Sequence, residues 1–368
     1  MPTLTPFHVI TTTGGAGFTE VDGWSIPHDF GDSNQEYEQA CQATALFDIS
    51  HHGKVELAGP EAEEFLNNLC TNDVMKLADG NGCEAFLTSN QAKTLAYVLV
   101  YKHQSVADGT TFWLDAGPGM GDGVAKHLDR YLISEQVAIT DRTQEFGQVH
   151  LAGPRAREAL EAVLLGESLH LGELQHTKAN VGGSAIFIRS HRPLGLPGYD
   201  ILVPRDDATA IWQTLVEKGA TPAGMESYQT LRVEAGTPQF GIDIDETNLP
   251  QEVGREGQAI SFAKGCYIGQ ETIARIRTYG HVNQSLVGLV LEGQGTEPPG
   301  TKLFRNGKEV GHLTSCVHSP KLRSVIALGY ARRGNQEPGT ALEVQGAVSR
   351  TAVVHELPFA AFAHESTS

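Results

Sequence analysis

The segment VELAGPEAEE (residues 55–64) recurs as VHLAGPRARE (residues 149–158), and this repeat decides the fold. In both copies, alternating apolar residues predict a strand and the Gly-Pro pair predicts a turn. The residues after the proline have the apolar spacing of a helix, with proline near its first position. The chain therefore contains the same strand–turn–helix unit twice.

Each copy is followed by a second predicted strand–helix pair. The pairs are a strand at 111–115 with a helix at 124–133, and a strand at 199–203 with a helix at 208–218. This order predicts an α+β protein in which one α/β lobe is made twice. Two similar lobes that pack together leave a crevice or channel between them, and small-molecule sites commonly lie in such places.

Short strands dominate the rest of the chain. They are predicted at 285–291, 302–305, 309–314, 324–330, 341–344 and 351–355. Asn306-Gly307 lies between two of them and is typical of a two-residue hairpin turn. Strands at this spacing favour a small barrel or sandwich.

These patterns divide the chain into three predicted domains. The first α/β lobe takes residues 1–147, the second takes residues 148–279, and a C-terminal β-barrel takes residues 280–368. A length of 368 residues is sufficient for three such domains with cores of their own.

Composition limits the partners and the location. The formal net charge of −17 disfavours binding to nucleic-acid backbones. The five cysteines include no CxxC pair, which argues against a disulfide scaffold or a structural zinc site. Adjacent His51 and His52 in a strand would point to opposite faces, so we expect no metal. Without a signal-peptide pattern or a membrane-length apolar run, we expect a cytoplasmic protein with no membrane partner.

The octapeptide KGCYIGQE (residues 264–271) carries the clearest chemistry. A helix predicted at 271–277 places Cys266 just before a helix N-terminus. The helix dipole and nearby Lys264 would both favour thiolate over thiol. The pattern indicates a reactive cysteine, with Cys266 and Lys264 as candidate catalytic residues. Spacing alone leaves open the alternative of a glycine-rich loop with an inert cysteine.

KGCYIGQE resembles the signature of the YgfZ family, folate-binding proteins linked to the maintenance of iron–sulfur clusters. That family is a branch of the aminomethyltransferase (glycine cleavage T-protein) superfamily, and weaker similarities run from Leu46 to Phe359. The resemblance implies two related α/β lobes around a central folate channel, completed by a C-terminal β-barrel. It also implies tetrahydrofolate, or a one-carbon derivative of it, as cofactor. Iron–sulfur proteins or their assembly machinery are the implied protein partners.

The same resemblance implies residues that bind the folate. The N–H groups on the pterin edge of a folate bind best to carboxylates or carbonyls, and the pterin rings pack against aromatic side chains. The glutamate tail of the folate binds to Arg or Lys. The candidates in the matching segments are Tyr267, Gln270, Glu271, Arg232, Glu234, Tyr101 and Asn72, with Lys264 also placed for the tail. Two alternatives stay open: Asn72 could only cap a turn, and Arg232 with Glu234 could form a structural ion pair.

The chain departs from the T-protein pattern in three places. Ala96 and Tyr97 occupy the place of a T-protein carboxylate pair. Leu196 stands where a T-protein has glutamate, and Tyr228 where it has arginine. Alanine accepts no hydrogen bond and a tyrosine hydroxyl stays neutral near pH 7, so conventional aminomethyl transfer is expected to be impaired.

These departures favour a tetrahydrofolate-binding, YgfZ-like protein that supports assembly or repair of iron–sulfur enzymes, with Cys266 as its functional thiol. The alternative is a folate-dependent aminomethyltransferase, or a related one-carbon transferase or demethylase. A third possibility is a binding module that has lost catalysis. The sequence leaves open whether the chain is an enzyme. If it is one, we expect a tetrahydrofolate-dependent one-carbon transferase.

Overall fold

The structure is a computed structural model that describes residues 1–105, 109–346 and 349–359. The strands are β1 (Thr3–Leu4), β2 (Gly17–Val21), β3 (Trp24–Asp29), β4 (Ala45–Asp48), β5 (His52–Gly59), β6 (Gly82–Thr88), β7 (Thr94–Ser105), β8 (Gly109–Pro118), β9 (Ala138–Asp141), β10 (Phe146–Ala152), β11 (His176–Val181), β12 (Ser184–Ser190), β13 (Gly198–Pro204), β14 (Thr221–Ala223), β15 (Gln284–Leu291), β16 (Lys302–Arg305), β17 (Lys308–Ser319), β18 (Ser324–Arg332), β19 (Ala341–Gln345) and β20 (Ser349–His355).

Helices connect these strands and cover the sheets. They are α1 (His8–Thr13), α2 (Ser33–Gln42), α3 (Ala62–Leu69), α4 (Gly121–Asp129), α5 (Ala156–Val163), α6 (Ala208–Glu217), α7 (Met225–Glu234), α8 (Glu256–Ala259) and α9 (Gln270–Tyr279). Within the three described ranges, no helix combines the length and the apolar character needed to cross a membrane.

The strands form two large sheets, a small N-terminal sheet and a closed barrel. The first-lobe sheet has the order β6-β7-β8-β5-β9, and the second-lobe sheet has the order β11-β12-β13-β10-β4-β14. The barrel closes in the order β15-β18-β17-β16-β19-β20, and its β16 and β17 are joined through Asn306-Gly307 as predicted. The predicted α+β class, with two α/β lobes and a C-terminal β-barrel, is confirmed.

The repeated sequence forms the same structure in both lobes. Strand β5 leads through Gly59 into α3, and β10 leads through Gly153 into α5. Both glycines have positive φ angles, 149° and 132°. A Cβ on Gly59 would lie 2.1 Å from the Gln136 carbonyl oxygen, and one on Gly153 would lie 2.3 Å from that of Ala43. The glycine of each repeat is therefore required by both its backbone angle and its close packing.

The chain crosses between the lobes early. Strand β4 pairs with β10 and β14 in the second-lobe sheet, although it precedes every strand of the first-lobe sheet. The predicted domain boundaries, 1–147, 148–279 and 280–368, remain a proposal, and residues 360–368 of the third lie outside the described part of the chain.

A buried ion pair joins helix α7 to the barrel. The Arg232 guanidinium, 3% exposed, donates to Asp243 Oδ2 at 2.6 Å and to Ser315 Oγ at 2.7 Å. Asp243 Oδ1 also accepts hydrogen bonds from Thr314 and Ser315 of β17. Helix α7 also contributes to the wall between the two lobes. The Arg232–Asp243 pair therefore fixes the barrel relative to both lobes.

We expect Asp243→Ala to lower the free energy of unfolding by about 3 to 5 kcal/mol, because the change leaves a buried guanidinium without its counter-charge. The matched control is Asp122→Ala, which removes an exposed i,i+4 partner of Lys126 and is expected to cost less than about 1 kcal/mol. Urea denaturation of both variants measures the difference. Equal, small losses in the two variants would contradict this role of Asp243.

Candidate functional site

A cavity of about 340 Å³ lies where the two lobes meet α7 and the segment after the barrel. Both large sheets contribute to its wall. Its principal side chains are His52, Glu84, Tyr97, Leu99, Asp115, His191, Arg192, Asp200, Tyr228, Arg232, Phe240, Arg255 and Pro358. The wall thus combines aromatic rings with carboxylates and cations, in a volume typical of a small-molecule site.

One part of the wall is a tyrosine–carboxylate–arginine cluster. Glu84 of β6 and Tyr97 of β7 are diagonal neighbours on one face of the first-lobe sheet. The Tyr97 hydroxyl donates to Glu84 Oε2 at 2.6 Å, and Arg255 binds both oxygens of the same carboxylate. Burial and the neighbouring Glu84 charge raise the pKa of Tyr97 well above its usual value. Tyr97 is therefore a neutral hydroxyl bonded to a carboxylate that Arg255 anchors.

The second part is centred on Asp115 of β8, which is 5% exposed. His52 Nδ1 lies 3.4 Å from Asp115 Oδ1. Gln148 Nε2 and Arg189 Nη1, both from the second lobe, donate to Asp115 Oδ2 at 2.6 and 3.3 Å. Burial alone would raise the pKa of Asp115, but the hydrogen bond and charge of His52 and the charge of Arg189 lower it below its usual value. The carboxylate is therefore ionised and links the two lobes.

The third part is centred on Asp200 of β13, which is 2% exposed. His150 Nδ1 and His191 Nδ1 lie 2.7 and 3.2 Å from its two oxygens. Burial would raise the pKa of Asp200, but these two histidines lower it strongly. For His191, burial would lower the pKa, but the hydrogen bond and charge of Asp200 raise it above its usual value.

Behind the wall, Arg189 of β12 is fully buried. Its guanidinium lies over the ring of Tyr101, 4.3 Å from the centroid, and 5.8 Å from that of Trp113. Tyr101, a predicted folate ligand, is itself fully buried and lies outside the cavity wall. Its contact with Arg189 supports the cation that holds Asp115.

The predicted catalytic Lys264 caps a helix. Its Nζ donates to the carbonyl oxygens of Asn67, Cys70 and Asn72 at 2.6, 2.8 and 2.6 Å. These carbonyls lie in the last turn of α3 and just after it, where helix hydrogen bonding leaves oxygens without partners and a cation is favoured. Burial lowers the pKa of Lys264. The ammonium group is thus engaged with the backbone of the first lobe.

The other residues of KGCYIGQE also fix this segment to the first lobe. Cys266 is exposed and lies outside the cavity wall. Tyr267 is 8% exposed and packs in a core cluster with Phe240 and Ile273. Gly269 has a φ of 85°, and a Cβ there would lie 2.7 Å from the Ser89 carbonyl oxygen. Close packing therefore accounts for much of the motif without thiol chemistry.

The remaining predicted ligands have structural contacts. Gln270 donates to the Gly265 carbonyl at 3.4 Å, and Glu271 forms an exposed ion pair with Arg275 at 2.7 Å. Asn72 Nδ2 donates to the Glu84 and Gln258 carbonyls, each at 2.8 Å. Asn72 therefore ties the 256–259 helix to β6.

The segment 231–234 is helical, and its Arg232 and Glu234 do not pair. Arg232 binds Asp243, while Glu234 accepts hydrogen bonds from Tyr37 and Ser319, so the structure does not contain the Arg–Glu pair that the sequence left open as an alternative. Among the described residues, Arg232 is the one predicted site residue that lines the cavity.

Sequence reasoning missed the acidic residues of the wall. Asp115 and Asp200 each lie within an otherwise apolar strand, Trp113 to Ala116 and Tyr199 to Val203. A carboxylate in a buried strand is costly unless it is paired, and this is the signal that could have identified both. Of the positions where the chain departs from T-proteins, Tyr97 and Tyr228 line the cavity.

A group of potential metal ligands lies elsewhere. In the described part of the chain, His28, Asp29 and Glu226 have ligand atoms within 4.8 Å of one another. His28 and Glu226 are about half exposed, with a separation of 4.0 Å between Nδ1 and Oε2. Exposed groups of this kind are common without an ion, and the expectation of no metal remains a prediction.

Comparison with known families identifies both parts of the fold. Residues 7–264 match the GCVT N-terminal domain, and residues 284–360 match the glycine cleavage T-protein C-terminal barrel domain. An aminomethyltransferase of Rubrobacter xylanophilus is 30% identical, over 89% of this chain and 86% of the relative. An aminomethyltransferase of Symbiobacterium thermophilum is also 30% identical, over 96% of both chains.

A solved structure has the same fold. The glycine cleavage system aminomethyltransferase T from Bartonella henselae superposes with a TM-score of 0.89 over 98% of both chains, at 23% sequence identity. At that identity the likeness establishes the fold alone. The two family matches and the relatives at 30% identity establish more: the chain belongs to the glycine cleavage T-protein (aminomethyltransferase) family.

Proposed function

We propose that this protein binds a reduced folate in the cavity between its lobes and transfers a one-carbon unit to or from it. The observation that carries the proposal is the cavity itself, whose wall combines aromatic rings with carboxylates from both lobes. Relatives named aminomethyltransferase support the same conclusion. The transferase alternative is thus better supported than the iron–sulfur role that the octapeptide favoured.

The residues of the wall fit the chemistry of tetrahydrofolate. The rings of Tyr97, Tyr228 and Phe240 offer flat surfaces for a pteridine. The oxygens of Asp115 and Asp200 offer acceptors for its N–H groups. Tetrahydrofolate, when bound, supplies the nitrogen atoms that accept or release the one-carbon unit.

The folate tail is anionic and needs a cation near the solvent. The Arg192 side chain is 57% exposed on the rim, and its Nε lies 3.4 Å from the nearest Glu173 oxygen. Arg232, also in the wall, is already engaged by Asp243. We therefore assign Arg192 rather than Arg232 to the tail.

Glu84 compensates for the acids that T-proteins carry in this region. Although Ala96 and Tyr97 replace a carboxylate pair, the Tyr97 hydroxyl is bonded to the Glu84 carboxylate from the neighbouring strand. Arg255 holds that carboxylate in place. An anchored anion in a partly dry cavity can stabilise positive charge that develops on an amine during transfer. The proposed role of Glu84 is therefore electrostatic.

The YgfZ-like role in iron–sulfur maintenance remains a prediction. It rests on Cys266, and the thiol is exposed while Lys264 is engaged by three carbonyls. The predicted iron–sulfur partners and the cytoplasmic location rest on the same sequence reasoning. Cys266→Ala in a strain lacking the protein tests this role through iron–sulfur enzyme activity, and full rescue would count against it.

We expect wild-type protein to bind tetrahydrofolate in a calorimetric titration. Tyr228→Leu should weaken binding about tenfold because it removes an aromatic wall, whereas Tyr228→Phe keeps the ring and should bind like wild type. Cys266→Ala should also bind like wild type, since the thiol lies outside the wall. A wild-type protein that binds no reduced folate would contradict the proposed function.

Glu84→Gln should lower the rate of one-carbon transfer by roughly 10²-fold or more, because the anchored negative charge is lost. The assay follows formation of the one-carbon folate from an aminomethylated lipoyl carrier or a methylated amine. Glu217→Gln, at the exposed end of α6, is the matched control and should keep full activity. An unchanged rate in Glu84→Gln would show that Glu84 has no part in the reaction.

A further inference from the structure

Two histidine–aspartate pairs face the cavity, one from each lobe. His52 of β5 pairs with Asp115 of β8 in the first lobe, and His191 pairs with Asp200 of β13 in the second. Both imidazoles and both carboxylates line the cavity. The histidine side chains are 20% and 21% exposed, whereas the carboxylates are almost fully buried. Each carboxylate can therefore orient its imidazole, while the ring remains accessible to a ligand.

Both pairs leave one ring nitrogen available. In each histidine Nδ1 faces the carboxylate, and Nε2 is on the opposite side of the ring. Neither Nε2 has a hydrogen-bond partner among the residues that the structure describes. General acid–base catalysis commonly uses this arrangement: the aspartate fixes the tautomer through Nδ1, and Nε2 accepts or donates the proton. The His52–Asp115 separation of 3.4 Å is long, and such contacts commonly shorten when a ligand binds.

The charges around His191 favour its protonated form. Asp200 lies on the adjacent strand, and the nearby charges of Glu173 and Asp115 act in the same direction. His150 shares Asp200 from β10, and a Cβ on Gly198 would lie 2.8 Å from the His150 ring, so glycine is needed there. Arg192, the next residue along, is the nearby cation on the rim.

His52 is paired with a single carboxylate and has a lysine close by. Its one carboxylate, Asp115, already receives hydrogen bonds from Arg189 and Gln148. Lys54 of the same strand lies close, because its Nζ donates to the His52 carbonyl at 2.8 Å. Burial lowers the pKa of Lys54 to about 8, which leaves it cationic at neutral pH. The adjacent ring of His51 is held neutral, since burial lowers its pKa strongly.

We propose that these two pairs carry out proton transfer in the cavity, with His52 as the general base and His191 as the general acid. The inference rests on the proposed one-carbon transfer and names the groups that move its protons. His52 Nε2 takes the proton from the accepting N–H as the new C–N bond forms. His191 Nε2 gives its proton to the donor atom that keeps the electron pair of the broken bond. Exchange with solvent resets both rings, so no oxidant or reductant is needed.

The arrangement predicts a bell-shaped pH–rate profile with separable limbs. Activity should fall at low pH, where a base cannot accept a further proton, and at high pH as His191 loses its proton. The basic limb should lie above pH 6.5, because Asp200 raises the pKa of His191 above that ordinary value. His52→Gln should abolish the acidic limb and His191→Gln the basic limb, each with about a 10²-fold loss of maximal rate. His170→Gln, an exposed histidine outside the cavity wall, should leave the profile unchanged.

A second measurement needs no folate. NMR spectra of the imidazole nitrogens in the free protein, assigned by the signals lost in His52→Gln and His191→Gln, should show that His191 keeps its proton to a higher pH than an ordinary imidazole, because Asp200 raises its pKa. Asp200→Asn should lower the pH at which His191 loses its proton, because it removes the carboxylate that raises this pKa. The conservative change keeps the side-chain volume, and circular dichroism checks that the variant is folded.

The outcomes separate this inference from the proposed function. If wild-type protein binds and turns over folate but neither histidine variant alters a limb, the histidine roles are wrong and the proposed function stands. If wild-type protein binds no folate, the proposed function fails, and the NMR spectra still decide the assignment. A His191 ring that loses its proton at or below pH 6.5 in the free protein would overturn it.

Discussion

The buried Asp115 carboxylate is the interaction on which the arrangement of the lobes depends. It lies on the first-lobe sheet, but its shortest contacts, from Gln148 and Arg189, come from the second lobe. A fully buried arginine is tolerated there because Asp115 neutralises it and Tyr101 lies against it. Removing one partner of such a pair leaves a buried charge uncompensated, at a cost of about 3 to 5 kcal/mol. The same contacts of Asp115 therefore contribute to the stability of the protein and to the geometry of the cavity.

The architecture could be predicted from the sequence because its strands, helices and turns follow from short local patterns. Gly59 and Gly153 mark equivalent turns, and the hairpin at Asn306-Gly307 follows from its turn residues. Strand β4 could not be placed in this way. Its pairing with β10 depends on contacts between residues about a hundred positions apart, and no short sequence pattern encodes such contacts.

Most residues of the cavity wall were not found from the sequence, for a physical reason. The octapeptide 264–271 drew attention because it combines a thiol with an ammonium group, yet Lys264 caps α3 and Gly269 permits close packing. Sequence motifs locate unusual backbone as readily as they locate chemistry. The residues that do line the cavity, such as Asp115 and Asp200, are dispersed over separate strands and converge only in the folded protein.

We propose that the interlobe cavity, not the thiol-bearing segment, is the functional centre. A crystal structure of the protein with tetrahydrofolate tests this most directly. We expect the pteridine between the lobes, against Tyr97 and Tyr228, with its N–H groups directed to Asp115 or Asp200. A folate bound at the surface beside Cys266, with the cavity filled by water, would contradict it.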